Sequence, residues 1–173
     1  EALDMLERYS LLLRSRTTAP ASIYLSSNLA NENYISRELK RLTDDTKVTF
    51  FTPASIKNFL ADYEQDTQIA LANEQREGVM TALTSPVSII TGGPGTGKTH
   101  TIRTIIACAK ALDPGVSIKV CAPTGKAAVR ASDMSGLPAA TIHRMLQLFN
   151  PTCHVGAEEL QCDILIADEF SMV

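Results

Sequence analysis

SIITGGPGTGKTH, residues 88–100, joins the end of an apolar run to eight residues, Gly92 to Thr99, that satisfy G-x-x-x-x-G-K-[ST]. Val87 to Ile90 predicts a short strand, and a helix is predicted from about Thr99. Ile102, Ile105, Ile106 and Ala109 give that helix a buried stripe, and Asp113-Pro114-Gly115 stops it. Glycines let the backbone curl so that successive N–H groups point inward, a shape that fits phosphate. The helix N-terminus adds a favourable dipole. Gly93, Pro94, Gly95, Thr96 and Gly97 therefore read as a nucleotide cradle. Lys98 would bring a positive charge to the β- and γ-phosphates, and Thr99 a hydroxyl to Mg²⁺. A glycine-rich turn that binds nothing is the bland alternative; spacing and context both argue against it.

Downstream, Ile118 to Ala122 predicts a second strand, Gly125 to Ser132 a helix, and Ile164 to Ala167 a third, buried strand. That strand delivers Asp168 and Glu169 at its carboxyl end, where ligands sit in such sheets. Asp168 would hold Mg²⁺ through water, and Glu169 would polarise an attacking water. A second carboxylate there points to hydrolysis rather than transfer to a bound acceptor. Strand and helix in alternation predict an α/β fold, a parallel sheet with helices on both faces.

Three further stretches leave two readings each. Ala122-Pro123-Thr124-Gly125-Lys126-Ala127-Ala128 offers a hydroxyl, amides and a charge to one nucleic-acid phosphate, or a strand-to-helix turn capped by Thr124. Thr141 can cap a helix with Ile142, Met145, Leu146 and Phe149 on its apolar stripe. His143 and Arg144 then face a phosphate or only water. Asn73 can cap a helix carrying Val79, Met80 and Leu83, with Gln75 on the same side. A glutamine can pair with the edge of adenine, or be an ordinary surface residue. Cys153, His154 and Cys162 have the wrong spacing for structural zinc and lack a fourth ligand.

Residues 1–66 read as a separate small α+β unit. Ala2, Leu3, Met5, Leu6 and Tyr9 fit a helix. Leu11 and Leu13, a turn over Thr17 to Ala21, then Ile23 and Leu25 fit a hairpin, as in a winged helix. A second helix is expected from about Asn31 to Leu42, with Tyr34, Ile35, Leu39 and Leu42 on its apolar face. Val48 to Phe51 suggests a strand, and Ile56, Phe59 and Leu60 another helix. Arg14 and Arg16 share one strand face, which reads better as a solvated edge than as a phosphate contact.

Composition sets the outer bounds. The 173 residues are 45% hydrophobic and 20% charged, with net charge −3. That is globular, not disordered, and carries no bulk signature of nucleic-acid binding. No apolar run approaches the ~20 residues of a membrane helix. The opening residues are acidic and amphipathic, so no signal peptide and no membrane partner are expected. Four cysteines without a pairing ladder suit a reduced, cytoplasmic protein. The first residue is not Met, so the sequence is expected to be an excerpt of a longer protein.

Together, Leu71…Glu74-Gln75, GGPGTGKT (92–99), APTGKAA (122–128) with Arg130, TIHRML (141–146) and DEFSM (168–172) resemble the RecD-like branch of superfamily 1 helicases. That branch includes the helicase parts of the conjugative relaxases TraA and TraI, and chains described as the alpha chain of exodeoxyribonuclease V. The match covers about residues 68–173, and IYLSSNLANENYISRELKRL (23–42) more loosely resembles the segment before the motor. The resemblance implies a P-loop NTPase (RecA-like) domain over 67–173, incomplete, after the winged-helix-like unit. It implies ATP and Mg²⁺ as ligands and 5′-to-3′ unwinding of DNA. It makes Lys98 and Glu169 catalytic, Thr99 and Asp168 metal ligands, and Gln75 an adenine contact. Thr124, Lys126 and His143 become contacts to single-stranded DNA.

Gly78 stands where this family commonly has Ala, and Phe170 where it has a small residue. Neither removes a catalytic group. The resemblance also implies a second RecA-like domain with charge-stabilising arginines, so these residues alone are expected to bind nucleotide weakly and hydrolyse little. Expected partners are single-stranded DNA, duplex junctions and other recombination subunits. The helicase part of a conjugative relaxase and a non-motor ATP-binding subunit are the alternatives. A small-molecule kinase leaves Glu169 and APTGKAA without a role. No nuclease metal site is legible.

Overall fold

The computed structural model describes residues 12–14, 23–45, 51–148 and 160–172. The expected helix over 2–9, the turn over 17–21, Arg16, and the Cys153-His154 pair lie outside them. The chain divides into two compact units, Glu1–Val48 and Thr49–Val173.

In the first unit, β1 (Leu12–Arg14) pairs antiparallel with β2 (Ile23–Leu25), Leu13 opposite Tyr24. Helix α1 (Ser26–Asp45) follows directly. Tyr34, Ile35, Leu39 and Leu42, its expected apolar face, are all exposed.

In the second unit Phe51 is buried just ahead of Thr52 and α2 (Pro53–Thr67); the rest of the strand expected over Val48–Phe51, residues 48–50, lies outside the described residues. Thr52 caps α2 by accepting from the Ser55 amide, and Pro53 begins it, where its missing N–H costs nothing. The helix ends at Gln68, left-handed at φ 56°. Ile56 and Leu60 bury against Val79 and Leu83 of α3 (Asn73–Thr84) and Ile105, Cys108 and Ala109 of α4 (Lys98–Leu112). Helix α2 thus belongs to this core, and the expected break between 66 and 67 moves to between Val48 and Thr49.

Residues 88–93 carry no regular structure, so the strand expected over Val87–Ile90 does not form. Among the described residues no neighbouring strand pairs with it, and Ile89 is 83% exposed. An apolar run becomes a strand only where a partner takes its backbone groups. The stripe of α4 is also wider than the spacing predicts, because Thr101 and Thr104 are buried with it. Their hydroxyls donate to the carbonyls of Gly97 and His100, so burial leaves them satisfied.

The sheet has order β4-β3-β5 and is parallel throughout. Its strands are β3 (Ile118–Ala122), β4 (Ala139–Thr141) and β5 (Ile164–Ala167). Between them lie α5 (Gly125–Ser135) and the single turn α6 (Ile142–Met145). Helix α6 is far shorter than the stripe through Phe149 predicts; Phe149 lies outside the described residues. Strand β5 forms where expected but is not buried on both faces, since Leu165 is 48% exposed. The amino ends of β3 and β5 are tied by Asp163, which accepts from the Ser117 amide at 2.7 Å.

Candidate nucleotide site

The turn from Gly92 to Gly97 feeds directly into α4. Gly95 and Gly97 take φ of 77° and 80°, the left-handed region closed to most side chains. Gly97 is the N-cap of α4 and brings no side chain to it, which leaves the first amides of the helix to an incoming group. Nothing lies within 4 Å of where a Cβ on Gly95 would sit, so the turn opens outward there.

Lys98 folds back over the turn. Its ammonium donates to the Gly92 carbonyl and, at 3.2 Å, to that of Gly93. The Thr96 hydroxyl also donates to Gly93, at 2.9 Å. Neutral carbonyls are weaker partners for a cation than phosphate oxygens. The cradle therefore fits a phosphate group, with Lys98 ready to exchange carbonyls for anionic oxygens.

Gln75 reaches this turn from α3. Its amide accepts from the Ala72 N–H at 3.0 Å and donates to the Thr96 carbonyl at 3.2 Å. Ala72, not Asn73, is the N-cap of α3; Asn73 accepts from Arg76 instead. Glu64 holds the same region, taking the Leu71 amide at 2.5 Å and Arg76 at 2.8 and 3.0 Å. The Leu71 amide, and then the Arg76 guanidinium, hold the Glu64 carboxyl below its ordinary range.

The register Cys121 opposite Ala167, and Ala122 opposite Thr141, brings three other groups to one end of the sheet. Thr124 follows β3 and caps α5 by accepting from the Ala127 amide at 3.2 Å, and Lys126 is exposed in its first turn. Thr141 ends β4 and caps α6 through the Arg144 amide, which leaves His143 and Arg144 exposed. Asp168 follows β5 and continues the ladder, its N–H donating to Cys121 at 2.9 Å. Glu169 is exposed, with φ 53°. Among the described residues, no hydrogen bond joins Asp168 or Glu169 to the turn over 92–97. No group of three or more His, Cys, Asp or Glu there forms a metal cage. Mg²⁺ is commonly held by one or two carboxylates together with phosphates and waters. Thr99 carries a hydroxyl and Asp168 a carboxylate, oxygen donors of the kind such a cation accepts.

The spacing did not reveal two residues near Thr99. Its hydroxyl donates to the Met134 sulfur at 3.2 Å, and Arg103 donates to the carbonyl of Met134 and, at 3.2 Å, to that of Asp133. The one available signal is that Thr99 and Arg103 are four apart on a helix and share a face.

A family model described as "AAA domain" matches residues 75–173. An "ATP-dependent RecD2 DNA helicase" of Deinococcus radiodurans is 42% identical over 87 residues, 49% of this chain and 12% of that protein. A "RecBCD enzyme subunit RecD" of Haemophilus influenzae is 32% identical over 177 residues, 88% of this chain and 28% of that protein. The protein of the same description from Mycolicibacterium smegmatis is 36% identical over 125 residues, 58% of this chain and 23% of that one. The chain thus spans less than a third of the length of each of these relatives.

Proposed function

Because the chain belongs to the AAA domain family and is RecD-like within it, we propose that it is the ATP-binding part of the motor of a 5′-to-3′ DNA helicase acting in recombination and repair. The observation that carries this reading is the turn over 92–97, left-handed at two glycines, leading into a helix N-terminus and covered by the Lys98 ammonium.

In this reading ATP is the substrate. Lys98 and the first amides of α4 hold the β- and γ-phosphates and take up charge as it develops. Glu169 orients the water and accepts its proton as the oxygen attacks phosphorus in line. The bond to the β–γ bridging oxygen breaks, releasing ADP and phosphate. Mg²⁺, held by Thr99 and Asp168, would neutralise phosphate charge. Gln75 turns its amide to the adenine edge in place of the Thr96 carbonyl. Thr124, Lys126 and His143 contact single-stranded DNA at the carboxyl end of the sheet. The partners are single-stranded DNA, duplex junctions and other recombination subunits, in the cytoplasm.

The test is ATP-dependent unwinding by the full-length protein of duplexes with a 5′ or a 3′ single-stranded tail. Unwinding of the 5′-tailed duplex alone, lost in Lys98→Ala, is expected. Nucleotide-independent strand separation, or full activity in Lys98→Ala, overturns the reading.

A further inference from the structure

The Thr99 hydroxyl has one proton, and the direction of that proton fixes where its lone pairs point. Here it points at the Met134 sulfur, 3.2 Å away. Met134 lies in the last turn of α5, whose final carbonyls have no partner within the helix. Arg103 supplies one, donating to the carbonyls of both Met134 and Asp133. A cation at a helix C-terminus is favourable in itself. The backbone beneath the sulfur is therefore pinned by the same helix, α4, that carries Thr99.

We propose that Met134 is a positioning residue for Thr99: it accepts the hydroxyl's hydrogen bond and so leaves the oxygen's lone pairs to a divalent cation. The proposal rests on the reading of Thr99 as a metal ligand. A partner behind a ligand fixes the ligand's orientation and raises its basicity. A thioether suits this place. It is a soft, weak acceptor that takes a hydrogen bond without competing for a hard cation, which prefers oxygen. Arg103 supports the arrangement from behind by fixing the end of α5.

The experiment titrates the full-length protein with a fluorescent ADP analogue, with and without MgCl₂, so no turnover enters the readout. Met134→Leu keeps the volume and removes the acceptor. Its gain in affinity on adding Mg²⁺ is expected to shrink by about tenfold, the lower end of what such partners contribute because sulfur accepts weakly. Its Mg²⁺-free affinity stays as in the wild type. Met134→Gln restores an acceptor and recovers at least part of the gain, which a purely packing role would not produce. A Mg²⁺ gain in Met134→Leu equal to or larger than that of the wild type overturns the proposal. If Thr99→Val loses the gain while Met134→Leu keeps it, only the role of Met134 falls. If the wild type shows no gain and Lys98→Ala binds as well as it does, the nucleotide site itself falls, and this inference with it.

Discussion

Gly97 does two things that no other residue can do at that position. Its φ of 80° starts α4, and its missing Cβ makes room for Gln75, whose Nε2 would collide with any Cβ placed there. Gly97→Ala is therefore expected to cost about 1–2 kcal/mol from backbone conformation alone. It also pushes Gln75 off the Thr96 carbonyl. Thermal unfolding should come at a lower temperature, and affinity for a labelled nucleotide should fall by about tenfold or more. An alanine variant that unfolds and binds like the parent would disprove this account of the turn. The turn was legible in sequence because its chemistry is local: six residues fix the backbone, and a seventh and an eighth bring the charge and the hydroxyl. The bonds from Gln75 to Thr96 and from Thr99 to Met134 were not legible. They span 21 and 35 residues, and no periodicity encodes them.

Among the elements, α2 and α3 are joined by their apolar faces and by Glu64, which binds the Leu71 amide and Arg76 together. The Glu64 carboxyl titrates below its ordinary 4.5, so its stabilising effect is complete above that pH and is lost as pH falls through the lowered value. Glu64→Gln should accordingly melt below the wild type at neutral pH, and the gap should close as the solution is acidified below about 4.5. Melting curves across that range decide it; a gap that stays constant to low pH would assign the effect to shape rather than charge. Helices were the more legible elements, since Ile56, Phe59 and Leu60, or Ile105, Ile106 and Ala109, reveal a helix without its partner. What they pack against was not legible, which is why α2 joins the second unit. Val87–Ile90 shows the opposite limit. Its residues favour a strand, but a strand is a property of two segments.

For the molecule as a whole, the chain spans 12% of the Deinococcus relative and 28% of the Haemophilus one. Phosphoryl transfer in such enzymes draws on positive side chains that meet the transition state, worth about 10³–10⁵ in rate where an arginine finger is used. These 173 residues by themselves should bind nucleotide weakly and release phosphate slowly, with no acceleration by single-stranded DNA. Comparing phosphate release by this chain and by the full-length protein tests that; brisk DNA-stimulated turnover by the short chain would refute it. The two ends of the sheet also differ. Thr124, His143, Asp168 and Glu169 all emerge at the carboxyl ends of the strands, while Ser117 and Asp163 fasten the amino ends. The exposed Asp113-Pro114-Gly115 turn adjoins that fastened end, at the far end of α4 from Lys98, about 20 Å away along the helix. This gives the molecule a handle: a dye, surface tether or affinity tag at Gly115 can follow or hold it while the opposite end keeps its freedom to work.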